Sequence, residues 1–240
     1  VAELPSVVKD NVASVIAYEL DRFTPFGSAE AMYDFAITSE DAEKLTIAIV
    51  AMRSETARPY HDALAAIGVS PQRVTTDTTA FGTLCSILGD ARGMVLCVAV
   101  DEEGYDGCLM KDGTFLSGSS GRLAGTDREK DLTEIRAGLS PLLGRFDAEG
   151  IPPSVFLEAT GRYAFLEEEL GVPAKTIGRE DIRKVLKTDI GDGVAGPLGG
   201  LMEMIWPGAK GFNLVSKGRE ASGGGLATPV TWALFALIAV

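Results

Sequence analysis

Residues 94–117 read Met94-Val95-Leu96-Cys97-Val98-Ala99-Val100, Asp101-Glu102-Glu103-Gly104, Tyr105-Asp106-Gly107-Cys108-Leu109-Met110, Lys111-Asp112-Gly113 and Thr114-Phe115-Leu116-Ser117. The first run is apolar at every position, the pattern of a strand buried on both faces. The acidic turn sends the chain back, and Asp112-Gly113 is a hairpin signal because that pair tolerates positive φ. Three consecutive antiparallel strands are therefore expected. Downstream, the Gly/Ser stretch 118–125 reads as a loop. A helix over 127–146, a strand over 154–158, a helix over 163–170, a short strand over 174–177 and helices over 180–186 and 197–205 follow.

Upstream, Leu4-Pro5-Ser6 reads as a turn that caps a helix running to Phe23. Val8, Val12, Val15, Ile16, Leu20 and Phe23 recur at helical spacing and form its apolar face. Pro25 stops that helix. Strands over 32–37 and 45–52, joined by polar residues, predict a hairpin. A helix over 56–67 ends at Gly68, and a short strand over 73–76 completes an αββαβ unit. Residues 77–92 read as a polar, Gly-containing joint with a short helical stretch over 80–88.

The order of three antiparallel strands, helix, strand, helix, strand, helix resembles the ribonuclease H-like half-domain of actin-like (ASKHA) proteins. The expected fold class is α/β and actin-like. The αββαβ subdomain of the first lobe would occupy 1–78 and the second lobe 79–206. A juxtamembrane linker would follow over 207–228, and the start of a transmembrane helix over 229–240.

The net charge of −12 argues against nucleic acid, because phosphate binding needs clustered Lys and Arg. A solvated acidic surface and a docking face for a basic partner are both open readings of that charge. Cys85, Cys97 and Cys108 lack CxxC spacing and sit in apolar runs, as free thiols of a reducing cytoplasm do. The single histidine, His61, reads as a surface residue on a helix and leaves a His-based metal site or triad without partners.

The chain ends on Pro229-Val230-Thr231-Trp232-Ala233-Leu234-Phe235-Ala236-Leu237-Ile238-Ala239-Val240, uncharged and shorter than the about 20 residues a spanning helix needs. This reads as the first half of a membrane span, a buried core helix being the other reading. Residues 206–228 are rich in Gly, Pro and Ser and carry Lys210, Lys217 and Arg219 against Glu220, a bias that marks the cytoplasmic side of a span. Val1 is no initiator and no signal peptide precedes the first helix, so the N-terminus is also expected to be truncated.

Tyr18-Glu19-Leu20-Asp21-Arg22-Phe23-Thr24-Pro25-Phe26 is the sharpest local signature. It resembles the helix-end motif of the cytoplasmic domain of the type II secretion L-protein and of the related type IV pilus assembly M-proteins. There, an acidic residue, a basic residue and Thr-Pro-Phe are followed by an acidic-tipped strand such as Tyr33-Asp34-Phe35. Gly211-Phe212-Asn213-Leu214-Val215 resembles the Asn-Leu-Leu motif that precedes the span in L-proteins and pilus N-proteins. Glu19, Asp21, Arg22, Thr24, Pro25 and Phe26 are thus expected to form a partner-binding or structural signature. Since Asp21 and Arg22 do not face each other on a helix, at least one is expected to find a tertiary partner.

The resemblance implies a non-catalytic scaffold at the bacterial inner membrane, its bulk cytoplasmic. Its implied partners are the N-terminal domain of the secretion or pilus ATPase, the M-type and F-type platform subunits, and a second copy of itself. Actin-like folds commonly bind ATP at a strand-turn-strand; the equivalent turn here carries Asp101, Glu102, Glu103 and Asp106, which disfavours an anion. Asp101, Gly104, Ser119 and Gly161 are the candidates for a degenerate nucleotide site, with ATP and Mg²⁺ as the ligands it would take. The alternatives are an ASKHA-type ATPase or kinase, in which Asp101 would hold a metal, and a membrane-tethered cytoplasmic sensor domain.

Overall fold

A computed structural model describes residues 1–88, 93–125, 127–148, 154–159, 163, 174–177, 179–186, 195–206, 209 and 211–216. The 94–117 stretch forms β4 (Met94–Val100), β5 (Gly104–Lys111) and β6 (Thr114–Arg122), successively antiparallel. Asp112 and Gly113 both take positive φ in the tight turn, and Asp112 Oδ1 accepts the Gly93 N–H. On the other side of β4, β7 (Ser154–Ala159) and β8 (Ala174–Thr176) add in parallel, giving the five-stranded order β6-β5-β4-β7-β8.

Strand alternation divides β4 between two cores. Met94, Leu96, Val98 and Val100 pack with Ile135 and Leu139 of α4 (Arg128–Ala148), whereas Val95 and Cys97 face Phe81, Leu84 and Cys85 of α3 (Asp77–Leu88). Ile182 of α5 (Arg179–Leu186) and Leu198 and Met202 of α6 (Ala195–Ile205) join the α3 side. Cys85, Cys97 and Cys108 are free and buried there, and burial pushes the Cys97 thiol well above its ordinary pKa, so these residues serve as packing.

A smaller sheet precedes this body. β1 (Ala2–Pro5), β3 (Lys44–Arg53) and β2 (Ala31–Glu40) are antiparallel in the order β1-β3-β2. Val12, Ile16 and Leu20 of α1 (Val12–Phe23) pack with Leu4, Tyr33, Leu45 and Ile47 on one face. Ala48 and the half-buried Val50 of the other face join the α3 core, so the two sheets share one interior. α2 (Ser54–Ala66) lies outside it and has no buried residue.

Four sequence expectations change. The N-terminal residues 2–5 form an edge strand against β3, and a 3-10 turn over Ser6–Asn11 leads into α1 only at Val12. Residues 73–76 form no strand, so the first unit runs β-α-β-β-α. The expected joint at 77–92 holds a core helix, α3, in which Thr79 through Cys85 are all buried and across which the 78/79 division falls. Gly118-Ser119-Ser120-Gly121 continues β6 opposite Tyr105–Cys108 rather than forming a loop. The expected helix over 163–170, apart from Tyr163, and the tail over 217–240 lie outside the described residues. Among the described residues no helix is long and apolar enough to cross a membrane.

The α3–α6 crossing depends on Gly199, where a Cβ would collide with the Ala80 carbonyl. Gly199→Ala is therefore expected to lower unfolding free energy by about 1–3 kcal/mol through overpacking. Gly144 of α4, with nothing within 4 Å of its would-be Cβ, should instead gain about 0.5–1 kcal/mol as Ala. Urea denaturation of the two variants checks this; equal effects would place the helix crossing elsewhere.

Candidate functional site

The C-terminal ends of β4 and β7 and the first turns of α3 and α6 leave a cleft of about 790 Å³ at the Asp101 turn. Asp77, Asp101, Glu103, Asp106 and Glu158 line it, and Arg122 is the one cation among the described lining residues. Asp101 is committed to the turn itself: its Oδ1 accepts the Glu103 and Gly104 N–H groups at 2.8 and 2.9 Å. Gly104 is required by packing, since a Cβ there would meet the Gly121 carbonyl of β6 at 2.5 Å. Of the four sequence candidates, Asp101 and Gly104 share this cleft. Ser119 lines a neighbouring cleft with Thr76 and Thr79, and Ser120 is the β6 serine that reaches the Asp101 side. Gly161 lies outside the described residues.

The Asp106 carboxyl is pushed above the usual range, first by burial and then by the Asp77 and Asp101 carboxylates, against a hydrogen bond from the Thr78 hydroxyl. The five carboxylate side chains of the lining, set against Arg122 alone, are a poor charge match for a polyphosphate. Among the described residues no cluster of three His, Cys, Asp or Glu is arranged to hold a metal.

A second constellation joins motifs that lie far apart in the chain. The Asn213 N–H donates to Asp34 Oδ2 at 2.8 Å, and Asn213 Oδ1 accepts the Val74 N–H at 3.2 Å and the Val215 N–H at 3.3 Å. Its Nδ2 donates to the Gln72 carbonyl at 3.2 Å, and the Leu214 N–H donates to the Val74 carbonyl at 2.8 Å. Phe212 is buried, its ring edge-on to Phe115 of β6 at 5.5 Å, and Leu214 is fully buried. Gly211 passes so close to the Arg73–Glu203 pair that a Cβ would strike both side chains. That pair is itself buried on the Glu203 side, at 2.9 Å, with the Thr83 hydroxyl donating to Glu203 Oε1. Segment 211–215 is thus fastened to β2, to residues 72–74 and to the α3–α6 core. Asp34 and Asn213 stand out separately in the sequence; nothing in their spacing signals that they touch.

The helix-end signature resolves into a terminator. Thr24 is extended, its N–H and hydroxyl both donate to the Leu20 carbonyl, and the hydroxyl also reaches the Phe26 carbonyl. Phe26 packs beneath the Arg53 guanidinium at 5.9 Å and, with Phe23, against the core between α1 and the three-stranded sheet. Arg22 pairs with Glu19 one turn back at 2.9 Å, so its partner is intrahelical rather than tertiary. Asp21 and Pro25 are exposed beside it.

The sheet order and the hairpin-bounded cleft define the actin-like, ribonuclease H-like class of α/β fold. No known family profile matches the chain, and no curated protein matches its sequence. Among solved structures, a chain of the PilM-PilN type IV pilus biogenesis complex is similar at a TM-score of 0.58 and 18% identity, over 84% of this chain and 74% of that one. The cytoplasmic domain of EpsL, an inner membrane component of the type II secretion system of Vibrio cholerae, aligns at 0.46 and 14%, over 89% and 71%. A protein of actin-like ATPase fold and unknown function from Bacteroides thetaiotaomicron aligns at 0.41 and 12%, over 78% and 70%. The first of these shows a shared fold.

Because the Asp106 pKa is raised, the folded state holds that proton more tightly than the unfolded chain just above pH 4. The charged form therefore opposes folding increasingly as pH rises through that window, and fully at neutral pH. Asp106→Asn should raise Tm at pH 7 and lose the advantage below about pH 4; a Tm lowered at pH 7 would mean the carboxylate is needed charged.

Proposed function

We propose that this chain is a non-catalytic scaffold of a bacterial inner-membrane secretion or pilus platform, and that its actin-like body holds an assembly or secretion ATPase at the membrane. The observation that carries this reading is the docking of segment 211–215 into the body, because it ties the stretch leading to 217–240 rigidly to both sheets. Force or position set at the body is then transmitted to whatever follows Ser216. The shared fold with a chain of the PilM-PilN complex supports the same reading. So does the carboxylate-lined cleft, which stands where an actin-like ATPase would receive phosphate.

On this reading the N-terminal domain of the ATPase, M-type and F-type platform subunits and a second copy of the chain are the partners. The body lies on the cytoplasmic side, with residues 229–240 entering the inner membrane. The competing reading is an ASKHA-type ATPase or kinase using Asp101 and a Mg²⁺–ATP complex.

Isothermal titration separates the two. The full chain should bind the isolated N-terminal domain of a cognate secretion or pilus ATPase saturably and give no heat with Mg-ATP up to about 1 mM. Micromolar Mg-ATP affinity with a turnover that Asp101→Ala abolishes would establish the enzyme instead.

A further inference from the structure

α2 presents a physical problem. It has 13 residues, contains Pro59 and buries none of its side chains. A helix of that length is marginal in water, and an internal proline removes one of its hydrogen bonds. Beneath it runs a groove of about 570 Å³, open between α2 and residues 71–75. Its walls are the half-buried Met32 and Met52 from β2 and β3, Ala57 and Leu64 from α2, Val74, and the exposed Val215 at the end of the docked segment. Tyr60, largely exposed, stands at the rim.

The charge at this groove is the reverse of the molecule's. The chain as a whole carries −12, and the Asp101 cleft is lined by carboxylates. Among the described residues lining the groove there is no Asp or Glu, while Arg58, Arg73 and His61 are present. Arg58 is exposed and forms no ion pair among the described residues. Arg73 spends one guanidinium nitrogen on Glu203, and its buried Nε has no hydrogen-bond partner. Asp62, 3.8 Å from His61 Nδ1, does not line the groove.

We infer that the α2 groove is a docking site for an acidic segment of another protein, one that places large apolar side chains against Met32, Met52 and Leu64 and carboxylates against Arg58 and Arg73. Apolar anchors supply affinity, flexible methionine walls adapt to their shape, and the guanidinium groups select sign and register. A nucleic acid fits poorly because the walls are apolar and the cations few. A second copy of this acidic chain and its own tail are the other candidate occupants. The inference is independent of the ATPase-holding reading, since it concerns the chemistry of the partner segment and not its identity.

Methionine methyls provide the test, because Met32 and Met52 line the groove while Met94, Met110 and Met202 are buried in the cores. The full chain carrying methyl-¹³C methionine is titrated with a synthetic helix-forming peptide of Leu at i, i+3, i+4, i+7 spacing with Glu elsewhere, and with its Lys counterpart. The Met32 and Met52 signals should move saturably with the Glu peptide, at least tenfold more weakly with the Lys peptide, while the buried methyls stay. Arg58→Glu, at an exposed helical position, should reverse the preference. Equal response to both peptides, or no response at Met32 and Met52, overturns the inference. It is also overturned if those signals move with protein concentration alone, or on deletion of residues 217–240, which would assign the groove to a second copy or to the tail.

Discussion

Asn213 is the constraint on which the docking of segment 211–215 into the body rests. One amide, with its own backbone N–H, serves the Asp34 carboxylate, the Val74 N–H, the Gln72 carbonyl and the Val215 N–H. Each such bond contributes only about 0.5–1.5 kcal/mol net, but leaving a buried partner unpaired costs about 1–3 kcal/mol. Removing the amide would take a partner from the Val74 N–H, the Gln72 carbonyl and the Val215 N–H at once, while the Asn213 backbone N–H still reaches the buried Asp34 carboxylate. With that clasp in place, Phe212 and Leu214 fall into the shared core and Gly211 lies over the Arg73–Glu203 pair. Val74 needs no sheet partner, because its N–H and carbonyl both bond to the docked segment, while the Thr76 carbonyl accepts from Ala80 of α3.

The clasp also separates two surfaces of opposite chemistry. On the Asp101 side, carboxylates gather where burial and mutual repulsion raise the Asp106 pKa. An anion entering that cleft would meet five carboxylate side chains and one guanidinium among the described lining residues. On the α2 side, Arg58 and Arg73 face an apolar trough that ends at Val215. The proposed scaffold role draws on this contrast, a carboxylate-lined cleft on one side and an adaptable apolar surface on the other.

The second sheet was readable from sequence because its signals are local. The unbroken run of β4 and the Asp112-Gly113 turn each carry their own physics, and both appear as expected. What was illegible depends on tertiary contacts. β1 is four residues long and ends in Pro5, too short for any periodicity, and exists because β3 offers it an edge. α3 has three Thr, one Gly and one Ser among its 12 residues and no clear apolar stripe, yet its hydroxyls bond within the helix, Thr83 to the Thr79 carbonyl and Ser86 to that of Gly82, and free Thr79 through Cys85 to be buried all round. Gly118-Ser119-Ser120-Gly121 lacks apolar alternation because β6 is an edge strand flanking open clefts. At the site, the crowding of carboxylates at the Asp101 turn could be read directly. The pairing of Asp34 with Asn213, across most of the chain, could not.

Amide hydrogen exchange of the full chain tests the central claim most directly. The Leu214, Asn213 and Val74 amides should exchange as slowly as those of the buried strand β4, which is the behaviour of a segment built into the body. Exchange at those amides as fast as at exposed turns, with β4 still protected, would mean that 211–215 is merely tethered and that the body does not hold the stretch beyond it.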